Sequence, residues 1–112
     1  MIKPPREAEP ALAAIRAAGG DELLHAMLSA FAGFAGVQLA WIERQFALRQ
    51  FDGVADAARA LRMSAAQVGA LGMAHACERV ELAGAGQDAA GVAETIEALA
   101  AELTAARAWI VS

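Results

Sequence analysis

The chain has 112 residues, enough for a single domain with one modest core. Its formal charge of -4 argues against nucleic acid as a partner, because phosphate binding needs a basic face. Hydrophobic residues make up 58% of the chain but aromatic residues only 5%. This composition favours closely packed helices, because alanine combines the best helix propensity with a small side chain. The single cysteine, Cys77, cannot form an internal disulfide, and no basic, cleavable leader pattern opens the chain, so we expect a cytoplasmic protein.

Five helical segments are predicted, and the alternation typical of strands does not occur. A tail at residues 1–8 precedes a first helix, which begins near Pro10 and ends at Gly19 and Gly20. A long second helix follows, with Asp21 as its predicted cap. Its predicted core positions recur every three or four residues: Leu24, Leu28, Phe31, Ala35, Leu39, Ile42 and Phe46.

Part of this second helix needs a test for membrane insertion. From Ala26 to Ile42 the sequence carries no charge, which just reaches the length of a membrane-spanning helix, roughly 17 residues. However, the stretch is interrupted by Ser29, Gly33, Gly36 and Gln38, and its large residues recur with a helical period. The sequence therefore predicts a buried amphipathic helix and no membrane contact.

Three further helices complete the predicted fold. Asp52 is the predicted cap of the third helix, a break at Gly69 separates it from the fourth, and Asp88, after a loop at 83–88, caps the last. Their predicted core positions are Val54, Ala58, Leu61, Ala65 and Val68, then Met73, Cys77 and Val80, then Val92, Ile96, Leu99, Leu103, Ala106 and Ile110. Short connections favour antiparallel neighbours, so we predict an all-α, up-and-down four-helix bundle with a short N-terminal helix across one end.

The third helix leaves one face that the core does not need. This face carries residues spaced by four or three: Asp52, Asp56, Arg59, Met63 and Gln67, with Arg62 beside it. Spacing alone favours a solvated face, with Asp56 and Arg59 as an ion pair worth about 0.2–0.5 kcal/mol. Met63 does not fit that interpretation, because a large apolar side chain among charges is typical of a contact surface.

Three segments resemble parts of histidine-containing phosphotransfer (HPt) domains. ARALRMSAAQVGA, residues 58–70, is similar without gaps to the family signature A-H-x-L-K-G-[SA]-[SA]-A-[NQ]-x-G-A. ALAAIRAAGGDELLHAMLSAF, residues 11–31, resembles the opening and first long helix of stand-alone members, and ACERVE, residues 76–81, resembles a segment of the next helix. The resemblance covers Glu9 to about Ile110 and implies an HPt-like bundle domain over residues 9–112.

The departures from the signature fall at its reactive centre. The resemblance places Arg59 where the family has its phosphoacceptor histidine, Arg62 where it has lysine, and Met63 where it has glycine. It implies a pseudo-HPt protein of a bacterial two-component phosphorelay, not an enzyme and without a cofactor. Such a protein would dock, as a monomer or weak homodimer, on a response-regulator receiver domain or a histidine kinase and regulate it. The predicted partner-binding residues are Asp56, Arg59, Arg62, Met63, Ala66 and Gln67.

Two other hypotheses stay open. An active relay protein would use His75 or His25 as its phosphoacceptor, although Glu78 and Arg79 beside His75 are typical of a surface charge cluster. A structural or assembly module would keep the bundle and use another face. Glu22 and His25 have the Glu-x-x-His spacing of di-iron bundles, but a second such motif is missing, so we predict no metal site.

Overall fold

The computed structural model describes residues 2–110, and nearly all of them are helical. No strand occurs in this range, which confirms the all-α prediction. A short 3-10 helix precedes four α-helices, with the following bounds: Arg6–Ala8 (3-10), Glu9–Ala47 (α1), Phe51–Gln67 (α2), Leu71–Ala85 (α3) and Ala89–Ile110 (α4).

Helix α1 contains a break at the two glycines that were predicted to end the first helix. Gly19 (φ -152°, ψ 16°) and Gly20 (φ 73°, ψ -169°) leave the helical range, but the helix resumes at once. The stretch 9–47 thus consists of two helical segments that meet at a kink, which confirms the predicted end of the first helix, and Asp21 is the first residue after that kink. The carboxylate of Asp21 accepts a hydrogen bond across the kink from Nε of Arg16, at 2.8 Å.

The connection between α2 and α3 packs against the 3-10 turn near the N-terminus. Gly69 has φ +77°, which ends α2 and confirms the predicted break. Ala8 is fully buried, and a β-carbon on Gly69 would lie 2.7 Å from its Cα. The segment predicted as a tail thus ends in a turn that contacts the bundle core.

Helix α2 begins earlier than predicted, at Phe51 with Gln50 as its N-cap. Asp52 is not the cap and lies in the first turn, where its negative charge favours the positive end of the helix dipole. At α4 the predicted cap is confirmed, since the backbone N–H of Gly91 donates to Oδ1 of Asp88 at 3.0 Å.

The predicted loop at 83–88 begins too early, because α3 continues through Ala85. Gly84 is buried between the helices, and a β-carbon there would lie 3.2 Å from both the carbonyl oxygen of Phe51 and the amide nitrogen of Ala55. The missing side chain lets α3 approach the backbone of α2, and this close packing keeps the additional residues helical.

The core lies between the four helices. Each helix contacts the next in chain order, and α1 also contacts α4. The predicted core positions of α2, α3 and α4 are buried, apart from the half-buried Ile110. On α1 all predicted core positions are buried or half-buried: Leu24, Phe31, Ala35 and Ile42 are buried, and Leu28, Leu39 and Phe46 are half-buried. Leu12 and Ile15, which were not among the predicted positions, are buried as well.

The opposite side of α1 differs from the prediction of a buried amphipathic helix. Phe34, Val37 and Trp41 are exposed, so α1 is apolar both towards the core and away from it. By length and composition, the helical stretch Arg6–Ala47 qualifies as able to cross a membrane, and 17% of its most apolar window is buried. That test is a weak indication, because core helices and leader segments also pass it.

Candidate partner-binding face

The six residues predicted to bind a partner lie along the outside of α2. We call them the α2 face: Asp56, Arg59, Arg62, Met63, Ala66 and Gln67. Arg62 is half-buried and the other five are exposed. Met63 has 61% of its surface exposed, while Leu61, two positions earlier, is fully buried. The helical period that fixes the core thus also fixes which α2 residues face outwards.

Two arginines of this face converge on one carboxylate of the neighbouring helix. Nε of Arg59 donates to Oε2 of Glu81 at 2.8 Å, and Nε of Arg62 donates to Oε1 at 3.2 Å. The Glu81 side chain is only 15% exposed, whereas that of Arg59 is 56% exposed. The carboxylate therefore lies beneath the two guanidinium groups. We call these three residues the Arg–Glu cluster.

The cluster is ionised at neutral pH. The hydrogen bond from Arg59 lowers the pKa of Glu81, the charge of Arg62 lowers it further, and partial burial opposes both effects. The same hydrogen bond raises the pKa of Arg59. Two positive charges and one negative charge leave a net charge of about +1 at this place.

The expected ion pair between Asp56 and Arg59 on α2 does not form. Arg59 turns towards Glu81 on α3, and Asp56 affects its pKa only as a more distant charge. A half-buried carboxylate is a better partner than an exposed one, because water screens the charges less there.

On its other side, the α2 face borders two mainly apolar depressions against α1, which we call together the α1–α2 furrow. Asp56 lines the first depression and Gln67 the second. In the first, Nε2 of Gln38 donates to the carbonyl oxygen of Ala57 at 3.1 Å. The α1 residues in the furrow include Met27, Ala30, Phe34, Val37 and Trp41. The α2 face therefore separates a charged cluster from the α1–α2 furrow, with Met63 on the outside of the helix between them.

Sequence patterns missed two parts of this arrangement. Glu81 lies in the segment ACERVE, but its pairing with α2 depends on the register between two helices, which a periodic pattern does not contain. The exposed apolar side of α1 had a signal, since Phe34, Val37 and Trp41 recur with spacings of three and four beside the core positions.

The remaining candidate site residues are the two histidines, Glu22 and the cysteine. His25 and His75 are both exposed, on α1 and α3. Glu22 is exposed as well, so it and His25 do not point into the bundle, where a di-iron site would lie. Among residues 2–110, no group of three or more His, Cys, Asp or Glu side chains is placed to hold a metal ion. Burial raises the pKa of the Cys77 thiol to about 12.

Comparisons with family models, with curated proteins and with solved structures return no match to this chain. The resemblance to HPt domains therefore depends on the motif residues themselves.

Proposed function

We propose that this protein is a pseudo-HPt docking protein, which binds a receiver domain through the α2 face and regulates it without carrying a phosphoryl group. The observation that carries the proposal is the exposed guanidinium of Arg59, hydrogen-bonded to Glu81 at the position of the phosphoacceptor in the family signature. The contacts of each helix with the next, and of α1 with α4, support an up-and-down arrangement of the HPt kind.

The chemistry at position 59 separates docking from transfer. A phosphoacceptor needs a neutral nitrogen with a lone pair directed at phosphorus. A guanidinium has five donors and no acceptor, and it stays protonated at physiological pH. The pairing with Glu81 raises the pKa of Arg59 still further, so this side chain does not act as a nucleophile.

The Arg–Glu cluster suits an acidic partner. Glu81 engages Nε of Arg59 and both Nε and Nη2 of Arg62, which leaves the other N–H donors of each guanidinium group for a carboxylate or phosphoryl oxygen. Because Glu81 already holds both side chains in place, less side-chain entropy is lost on binding. A receiver domain offers the acidic pocket that this surface fits, and a histidine kinase is the second candidate partner.

The test is a binding titration with purified receiver domains and kinase domains of the same organism. Arg59→Gln removes a charge and keeps a hydrogen-bonding group, so we expect affinity to fall by roughly tenfold, the effect of one charged hydrogen bond. Arg59→Glu is a poorer test, because it would place a second carboxylate beside Glu81. Met63→Ala removes an apolar contact, so we expect faster dissociation with little change in association rate.

The matched control is Arg79→Gln. Arg79 is also exposed on α3, but it lies two residues before Glu81 and therefore about 200° around the helix from it. We expect this variant to bind like the wild type. If all three variants bind equally well, the working surface lies elsewhere. If no receiver or kinase domain binds the wild type, the docking function is wrong.

The competing relay hypothesis keeps one structural argument, the exposure of both imidazoles. Incubation with a phosphorylated receiver separates the two hypotheses. We expect no acid-labile phosphate on the wild-type protein. Phosphohistidine that disappears in His75→Gln or His25→Gln would replace the docking proposal with an active relay.

A further inference from the structure

A row of side chains, all exposed except the half-buried Met27, runs along α1 with alternating spacings of four and three residues. We call it the α1 stripe: Leu23, Met27, Ala30, Phe34, Val37, Trp41, Arg44 and Leu48. Val37 is 70% exposed and Trp41 is 49% exposed, although both are large apolar residues. The spacing is the heptad pattern with which one helix packs against another.

The stripe is too long to be a scatter of single apolar residues. Leu23 and Leu48 are 25 positions apart, which corresponds to about 37 Å of helix. The bundle is 42 Å along its longest axis. Between Leu23 and Ile42 the sequence contains no Asp, Glu, Lys or Arg. A contiguous apolar surface of this length is typical of an interface.

We propose that the α1 stripe is a homodimer interface, in which two copies of this chain pack α1 against α1 in antiparallel orientation. A twofold axis between Phe34 and Val37 would pair these two residues with each other across the interface. The same axis sets Ala30 opposite Trp41, Leu23 opposite Leu48 and Met27 opposite Arg44. The smallest side chain of the stripe thus meets the largest, and apolar residues meet apolar ones in three of the four pairs, which is the complementarity that close packing requires.

The charges at the two ends of the stripe favour the same orientation. The N-terminal end carries Glu22 and the Arg16–Asp21 ion pair, which leaves a net charge of about -1. The C-terminal end carries Arg44, Arg49 and Glu43, which leaves a net charge of about +1. Antiparallel packing brings the acidic end of one copy towards the basic end of the other. Parallel packing would set Arg44 against its own copy and Ala30 against Ala30, which combines repulsion with a gap.

A lipid surface is the other possible occupant, and the charge argues against it. Helices that lie on membranes carry Lys and Arg beside their apolar face. Arg44 is the one Lys or Arg in the stripe, and the whole chain has a net charge of -4, which an anionic bilayer repels. A second copy of the chain has the complementary charges that a membrane lacks.

The area of the stripe determines how tightly the two copies are expected to bind each other. A contact about 37 Å long and about 10 Å wide covers roughly 400 Å² of each copy, about half of the 800 Å² that a stable interface buries. We therefore expect a dissociation constant in the micromolar range, on the order of 10 μM.

Analytical ultracentrifugation of the full chain from about 1 to about 200 μM tests the proposal. The wild type should pass from the 11.5 kDa monomer to the dimer over this range. Val37→Glu should raise the dissociation constant at least about tenfold, because it places two charges at the apolar centre of the interface. Leu82→Glu is the matched control: Leu82 is 65% exposed on α3, outside the stripe, and the variant should dimerise like the wild type.

A monomeric wild type at all concentrations overturns the proposal, and so does equal dimerisation of Val37→Glu. Flotation of the wild type with phosphatidylcholine vesicles, without self-association in solution, would assign the stripe to lipid instead. Circular dichroism of each variant separates lost dimerisation from lost folding. These results do not depend on receiver binding, so the dimer and the docking function can fail independently.

The antiparallel orientation has its own test. Leu23→Cys and Leu48→Cys each introduce one exposed thiol, while the native Cys77 is buried. Mixing the two variants under mild oxidation should give mainly the mixed disulfide, since these positions face each other across the proposed twofold axis. Disulfides formed mainly by each variant with itself would overturn the antiparallel arrangement.

Discussion

The substitution Gly69→Ala adds one methyl group and tests the packing of the N-terminal 3-10 turn against the α2–α3 connection. Its φ of +77° lies in the left-handed region, which costs about 1–2 kcal/mol for a residue with a β-carbon. That β-carbon would also lie 2.7 Å from Cα of Ala8 and 2.9 Å from its carbonyl oxygen. Both are backbone atoms, so no rotamer change relieves the contact, and the 3-10 turn must move.

Two other glycines separate these effects. Gly20 has φ +73° and ψ -169°, a backbone region that only glycine readily adopts, and nothing lies within 4 Å of an added β-carbon, so Gly20→Ala carries a backbone cost of about 1–3 kcal/mol alone. A more restricted unfolded chain offsets about 0.4–1 kcal/mol of that cost, which leaves a net loss of roughly 1–2 kcal/mol. Gly33 is helical with open space around it, and Gly33→Ala should stabilise by about 0.5–1 kcal/mol. Gly69→Ala adds about 1–3 kcal/mol of overpacking, for a total loss of about 2–4 kcal/mol.

Urea denaturation followed by far-ultraviolet circular dichroism gives the three free energies of unfolding. The order of stability should be Gly33→Ala, wild type, Gly20→Ala and then Gly69→Ala. Equal losses for Gly20→Ala and Gly69→Ala would refute the reasoning, because they would mean that Ala8 does not pack against the α2–α3 connection.

Three further predictions concern the core and the titrating groups. Leu61→Asp should abolish cooperative unfolding, since it places an unpaired charge at a fully buried position, whereas Leu82→Asp at an exposed one should unfold near the wild-type urea midpoint. Pairing with Arg59 lowers the pKa of Glu81 in the folded protein. The ionised Glu81 therefore stabilises the fold at pH values above its unfolded pKa of about 4.3, and this stabilisation is lost as the pH falls through the lower folded pKa. Urea midpoints of the wild type should therefore fall more steeply below that pH than those of Glu81→Gln, and parallel curves would contradict this. Because burial raises the pKa of Cys77 from 9.0 to about 12, the folded thiol should resist a disulfide reagent at pH 8 and react with it in urea. For the same reason the free energy of unfolding should fall as the pH rises from 9 towards 12, and this loss should be smaller in Cys77→Ala.

The sequence predicts those parts of the fold that depend on local periodicity. The core positions around Leu61, Met73 and Leu99 follow from a spacing of three or four residues, and the break at Gly69 follows from a residue type that tolerates positive φ. The end of α3 could not be predicted in this way. Gly84 and its neighbours look like a loop, and they are helical because the backbone of α2 lies against them.

The candidate site likewise has parts that local periodicity predicts and parts that depend on helix packing. The outward direction of Arg59 and Met63 follows from the period of α2 alone. The partner of Arg59 does not, because Glu81 is 22 residues away and reaches it only through the register of two packed helices. The exposed side of α1 has a signal in the sequence, but Phe34 and Trp41 belong to an uncharged stretch whose period also fits a buried helix, so the pattern alone does not show that they are exposed.

The two proposed interfaces border each other, and this determines which residues a partner can use. If two copies pack along the α1 stripe, they cover Phe34 and Trp41 and narrow the access to the α1–α2 furrow that Asp56 and Gln67 line. The Arg–Glu cluster lies on the opposite side of α2, towards α3, and stays open in such a dimer. A receiver that binds through the arginines is therefore compatible with the dimer, whereas one that inserts a helix into the furrow must separate the two copies. Binding through the arginines depends on charge, so salt should weaken it. Binding in the furrow competes with the dimer, so it should weaken as the protein concentration rises.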